Sequence, residues 1–168
     1  HIPGHGRATL DSHLELPVVD APRAVLEAED FAAFRGLADL PLGMTAHLVY
    51  TAIDPDAPAT TSPAAIRAIR EEIGFDGLLM TDDISMEALS GDVVARGQAA
   101  LAAGCDIVLH CNGEMAQMEA LAAALPPMTR EADARDARAM AARRPPAPVD
   151  IAALEAELDA LSRGEAHG

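Results

Sequence analysis

Aromatic side chains are nearly missing: among 168 residues there is no tryptophan, one tyrosine (Tyr50) and three phenylalanines (Phe31, Phe34, Phe75). A surface that grips single strands by stacking bases needs rings in rows, so this chain does not supply one. Basic residues are scarce too, 12 against 27 acidic ones, for a formal net charge of −15. Such a chain repels phosphate backbones and anionic membrane surfaces, whose binding requires Lys and Arg. There is no apolar run of ~20 residues, the length a spanning helix needs, and no signal-peptide pattern. Cysteine occurs twice, at Cys105 and Cys111, in a stretch that reads as a strand. A strand would hold the two ~20 Å apart, too far to bridge. Two free thiols suit a reducing compartment. The expectation is a soluble cytoplasmic protein with neither a nucleic-acid nor a membrane partner.

What the chain does have is aliphatic bulk: half its residues are hydrophobic, enough for one ordinary domain at this length. Leu26 to Leu40 spaces Leu26, Phe31, Phe34 and Leu37 as a helix does, with Pro41-Leu42-Gly43 as its stop. Met44 to Tyr50 is a short, mostly apolar run closed by the turn cluster Asp54-Pro55-Asp56-Ala57-Pro58, as a buried strand would be. Ser62 and Pro63 open a second helix and Gly74 closes it. Gly77 to Thr81 is another continuous apolar strand, ending in Asp82-Asp83, and an Ala-rich helix follows from Asp92 to Ala103. A strand over Asp106 to His110 and a helix over Glu114 to Leu125 complete the series. Helices alternating with continuous apolar strands predict a parallel α/β sheet with helices outside it. Beyond residue 127 the character changes. Residues 128–168 read as a peripheral, charged and Ala-rich helical tail, broken at Pro145-Pro146-Ala147-Pro148 and frayed after Arg163.

Three histidines, an aspartate and two glycines crowd into His1-Ile2-Pro3-Gly4-His5-Gly6-Arg7-Ala8-Thr9-Leu10-Asp11-Ser12-His13. A carboxylate two residues from an imidazole can orient the ring and support its charged form, so Asp11-x-His13 is a candidate acid/base pair; its bland alternative is a surface hydrogen bond. A metal site over His1, His5, Asp11 and His13 is the rival reading, but the spacing fits no tight ligand template, and no metal or cofactor is expected. In parallel α/β proteins the active site lies at the C-terminal strand ends. There the sequence places His47, Asp82-Asp83, and His110 with Asn112. A carboxylate carried out of an apolar strand can act as a nucleophile. Capping of the turn before Met86 by Asp82 or Asp83 stays open as the alternative.

His1-Ile2-Pro3-Gly4-His5-Gly6 and Asp11-Ser12-His13 are followed in order by Met44-Thr45-Ala46-His47, Gly74-Phe75-Asp76-Gly77, Thr81-Asp82-Asp83-Ile84-Ser85-Met86 and Ala103-Gly104-Cys105-Asp106. This succession, from residue 1 to about 125, resembles the bacterial β-N-acetylhexosaminidases of glycoside hydrolase family 3, the NagZ type. The resemblance implies a TIM (β/α)8 barrel, of which residues 1–127 would be roughly the last three strands and their helices, the C-terminal half of the catalytic domain. It implies retention through a covalent glycosyl-enzyme, with Asp82 as nucleophile, His13 as general acid/base, Asp11 as its orienting partner, and His1 and His47 as substrate contacts. It also implies peptidoglycan recycling: removal of terminal N-acetylglucosamine from muropeptides in the cytoplasm, by an enzyme monomeric in its full-length form. Because an imidazole base repels an anionic acceptor less than a carboxylate does, phosphate could replace water and make the reaction phosphorolytic. The competing class is a partial-barrel sugar-binding module or inactive fragment that needs its other half.

Overall fold

The computed structural model describes residues 1–164. Every strand pairing in it is parallel. Strands β2 (Leu42–Met44), β4 (Leu78–Asp83) and β5 (Ile107–Leu109) form one sheet with β4 in the middle, while β1 (Val18–Val19) pairs with β3 (Val49–Tyr50) in a second. Helix α1 (Arg23–Val25) passes through a π-helical turn, Leu26–Asp30, into α2 (Phe31–Arg35). Helix α3 (Pro63–Arg67) likewise continues as a π-helix over Ala68–Ile73. Helices α4 (Val93–Ala103), α5 (Met115–Ala124), α6 (Arg130–Ala141) and α7 (Ile151–Ser162) follow. The expected α/β alternation on a parallel sheet is what the chain forms. Among the described residues no helix is long and apolar enough to cross a membrane, and both cysteines are free, Cys105 buried and Cys111 exposed.

The helix ends follow from local chemistry. Ser62 accepts the Ala65 amide at 3.1 Å with Pro63 in the first turn, and Asp92 accepts the Ala95 amide at 2.8 Å. Each side-chain oxygen satisfies a donor that the first helical turn cannot. Gly74 closes its helix in the left-handed conformation at φ 83°.

Two expected elements differ. The Met44-to-Tyr50 run is not one strand: Thr45 continues the β2 ladder, donating its amide to Met80 O at 2.9 Å, but by Val49 the chain has joined β1. Between them the Leu48 carbonyl accepts the Ala59 amide at 2.9 Å and the Thr60 hydroxyl lies 3.1 Å from the Ala46 carbonyl, so the 3₁₀ turn Ala59–Thr61 takes the place of a neighbouring strand. The first helix, expected over residues 26–40, starts at Arg23 behind Pro22 and ends at Gly36. Residues 37–40 close two successive turns instead, Leu37 N to Phe34 O and Leu40 N to Leu37 O.

The core is aliphatic apart from Tyr50, Phe31 and Phe75, with Leu26, Leu48, Ile69, Leu79 and Ile84 fully buried around them. Phe75 sits in a slot between two glycines. A Cβ on Gly43 would stand 2.6 Å from its Cζ, and one on Gly77 2.5 Å, so only glycine at both places admits the ring.

At the other end of the sheet, Asp106 gathers three donors. Its Oδ2 accepts Arg70 Nη2 at 2.7 Å and the Leu79 amide at 2.9 Å, and its Oδ1 accepts Arg135 Nη1 at 3.0 Å. Arg135 and Arg138 also pair with Asp76, which fastens α6 to the loop before β4. Helix α7 leaves Ile151, Leu154, Leu158 and Leu161 exposed. Residues 165–168, the end of the stretch expected to fray, lie outside the described residues.

Because Asp106 is buried and ion-paired to two arginines, its removal strands charge in the interior. Asp106→Ala is expected to cost about 3–5 kcal/mol in urea unfolding, and an unchanged midpoint would show that the clamp carries no stability.

Candidate active site

The last two residues of β4 are Asp82 and Asp83, and an irregularity places them. Met80 faces Ile107 and Asp83 faces Leu109, so three steps along β4 match two along β5. Such a bulge re-aims side chains at a strand end. Thr81 Oγ1 takes up the Leu109 amide at 2.9 Å and Ile84 N reaches Leu109 O at 2.8 Å, which repairs the ladder around it.

The two carboxylates then part company. Asp83 is spent on the protein: Oδ1 accepts the amides of Ser85 at 3.1 Å and Cys111 at 3.0 Å, and Oδ2 accepts the Ser85 hydroxyl at 2.6 Å. Burial works to raise its pKa, but those bonds, with the nearby His110 ring, outweigh burial and hold the carboxyl below its ordinary 3.8. Asp83 is therefore the turn cap. Asp82 keeps its side chain 17% exposed, accepts the Asp83 amide on Oδ1 at 2.8 Å and lies 3.0 Å from His1 Nε2 through Oδ2.

The opening segment wraps against this carboxylate. His1 meets the His5 ring edge-on at 5.7 Å between centroids, and His5 Nε2 is 3.3 Å from Ser12 Oγ. Gly4 makes the bend: its φ is 142°, a Cβ there would stand 3.1 Å from Asp30 Cβ, and its carbonyl accepts the Tyr50 hydroxyl. Arg7 pairs with Glu29 and Asp30 and holds the loop to the helix behind.

Asp11 Oδ1 accepts both the His13 amide at 2.9 Å and His13 Nδ1 at 2.8 Å. A carboxylate accepts only, so Nδ1 carries the proton and Nε2 is left as the working nitrogen. The His13 amide, then the ring, pull the Asp11 carboxyl below its usual value. Both side chains are exposed, His13 by 75% and Asp11 by 59%. No hydrogen bond or ion pair among the described residues joins this dyad to Asp82.

The sugar contact expected of His47 meets a structural obstacle. The ring is fully buried, with Nδ1 2.7 Å from Thr60 Oγ1 and Nε2 2.9 Å from the Asp83 carbonyl. It offers no atom to a ligand, because the break after Thr45 turns it beneath the strand end. Burial pushes its pKa down against the pull of the Asp83 carbonyl, so the ring is neutral. His110 bonds Gln117 through Nε2 at 2.9 Å while its Nδ1 is buried with no protein partner, and Asn112 accepts the Glu114 amide.

One contributor had no sequence signal. Arg96 on α4 donates Nη1 to the carbonyls of Ile84 and Met86, both at 3.1 Å, and braces the loop that leaves Asp83. Its targets lie 12 and 10 residues upstream, beyond any helical or strand periodicity.

The parallel α/β frame thus presents a carboxylate at a strand end, and an Asp-oriented histidine on an exposed loop. The chain belongs to glycosyl hydrolase family 3: the profile described as "Glycosyl hydrolase family 3 N terminal domain" matches residues 1–140. Among curated proteins it is similar to the beta-hexosaminidases of Alkalilimnicola ehrlichii (48% identity over 117 residues) and Bordetella parapertussis (42% over 116). Each match covers 67% of this chain and 33% of the relative, so the chain spans about a third of their length. Among solved structures it is similar to a glycoside hydrolase family 3 beta-N-acetylglucosaminidase from Paenibacillus, with TM-score 0.72, 30% identity, and coverage of 90% of this chain and 32% of that one. It is also similar to NagZ from Neisseria gonorrhoeae in complex with N-trifluoroacetyl-D-glucosamine, with TM-score 0.71, 34% identity, and coverage of 83% and 40%.

The depressed Asp83 carboxyl fixes a sign for pH dependence. Stability from its ionised form is present above the unfolded value of 3.8 and is lost as pH falls through the lower native value. Asp83→Asn should therefore destabilise at neutral pH, and thermal melts of parent and variant should draw together as pH falls below 3.8 and meet only below the lower native value; a gap that is independent of pH would refute the assignment.

Proposed function

We propose that this chain is the catalytic C-terminal part of a (β/α)8-barrel retaining β-N-acetylhexosaminidase, with β2, β4 and β5 as the last strands of that barrel. The hexosaminidase reading is supported by likeness to the enzymes called NagZ and beta-hexosaminidase; release of terminal N-acetylglucosamine from muropeptides in the cytoplasm, during cell-wall recycling, is part of the same proposal. The observation that carries the chemistry is Asp82, set at the end of β4 with one oxygen held by the Asp83 amide and the other beside His1.

In this scheme Asp82 attacks the anomeric carbon as the glycosidic bond breaks, and the leaving oxygen takes its proton from His13 Nε2. Water then attacks the same carbon and gives its proton to His13, and the bond to Asp82 breaks. Asp11 holds the imidazole by Nδ1 and favours the imidazolium that each cycle requires. The exposed 11–13 loop closes over the sugar to bring Nε2 to the reacting oxygen. His1, 41% exposed and bonded to the nucleophile, offers its ring to the sugar at the same place. An N-acyl glucosamine as the bound unit agrees with the ligand named for the gonococcal NagZ structure.

The test uses the full-length protein and a 4-nitrophenyl N-acetylglucosaminide. Asp82→Ala is expected to lower kcat/KM by at least about 10³-fold. His13→Ala should cost about 10²–10⁴-fold on a poor leaving group and less on 4-nitrophenolate, which needs little protonation. Near-normal turnover by Asp82→Ala would remove it as nucleophile, whereas a parent protein that binds the sugar without cleaving it would favour the sugar-binding reading. Sugar 1-phosphate among the products in phosphate buffer would replace hydrolysis by phosphorolysis.

A further inference from the structure

Beneath Asp82 lies a buried polar chain with no part in the scheme above. Thr45, His47 and Thr60 are each fully buried. Their contacts run from Thr45 Oγ1 to Thr60 Oγ1 at 2.8 Å, from Thr60 Oγ1 to His47 Nδ1 at 2.7 Å, and from His47 Nε2 to Asp83 O at 2.9 Å. A carbonyl only accepts, so Nε2 must carry the proton; the single Thr60 hydroxyl proton has two acceptors in reach, His47 Nδ1 at 2.7 Å and the Ala46 carbonyl at 3.1 Å. The chain ends on the residue next to Asp82.

Polar groups in a core are costly unless satisfied, and His47 meets that condition through both ring nitrogens. What the histidine adds is a directed bond to Asp83. The Asp83 carboxylate is already tied to Ser85 and Cys111, and its amide donates to Asp82 Oδ1. With the carbonyl held as well, residue 83 cannot rotate, and its N–H stays aimed at the Asp82 carboxylate.

We propose that His47 is a positioning residue: through the Asp83 carbonyl it fixes the amide that orients the Asp82 carboxylate, with Thr60 seated against its other ring nitrogen. The role in catalysis rests on the hydrolase reading above. It differs from a sugar contact, because His47 never meets substrate, and from a packing role, because it requires a donor at the Nε2 position.

Two variants of the full-length protein separate these roles. His47→Gln keeps an N–H donor near Nε2, whereas His47→Leu keeps bulk and loses the donor. For His47→Leu we expect kcat to fall by about 10²-fold, the scale of a small misplacement of a reacting group, with KM unchanged, while His47→Gln recovers most of that loss. In the ligand-free proteins, ¹⁵N spectra should show His47 as the neutral Nε2–H tautomer. The Asp83 amide proton should move in His47→Leu and return in His47→Gln. Equal losses of kcat in both variants, or an Asp83 amide unmoved in a folded His47→Leu, would overturn the proposal. A parent protein that cleaves no hexosaminide would sink the hydrolase reading instead, and the Asp83 amide would still decide whether His47 orients the strand end.

Discussion

Asp83 is held at every polar atom it has. Its amide bonds the neighbouring Asp82, its carboxylate bonds Ser85 and the amide of Cys111, and its carbonyl bonds buried His47. Three segments that are distant in sequence, the end of β4, the loop after β5 and the break after β2, meet at one residue. The strand end would otherwise be free to fray, since a parallel strand running out of its sheet loses its ladder partners. Arg96 adds a fourth tie by holding the carbonyls of Ile84 and Met86. Asp82 is thus presented from a fixed platform, as its proposed role of nucleophile requires, while the Asp11–His13 dyad stands on an exposed loop.

This division shapes the electrostatics. The chain carries a net charge of −15, and the arginines that brace the site are engaged by the protein: Arg7 pairs with Glu29 and Asp30, and Arg96 donates Nη1 to the carbonyls of Ile84 and Met86.

Much of this was legible in the sequence. Helix caps at Ser62, Asp92 and Gly74, the continuous apolar strand before Asp82, and the close sequence spacing of Asp11 and His13 are local signals, and local signals report local structure. What was not legible depends on groups brought together only by folding. The Met44-to-Tyr50 run looked uniform because apolar content does not reveal that a 3₁₀ turn fifteen residues on takes over its backbone bonds. His47 looked like a strand-end ligand because periodicity cannot tell a ring above the strand end from one beneath it. Asp82 was singled out in the sequence, but which of Asp82 and Asp83 caps the turn was not legible there; the bonds to Ser85 and Cys111 give that part to Asp83.

The slot around Phe75 carries a consequence for how this sequence can vary. Gly43 and Gly77 lie on different segments, yet both lack a side chain for the sake of the same ring, which approaches each to within 2.6 Å of where a Cβ would sit. A Cβ at Gly77 would also stand 2.5 Å from the Leu40 carbonyl, so that glycine is held by backbone as well as by the ring. A methyl group gained at Gly43 demands a smaller residue at 75, and positions 43 and 75 should therefore exchange together in homologous chains while Gly77 stays, so their joint pattern would trace how closely β2 and β4 are packed across the family.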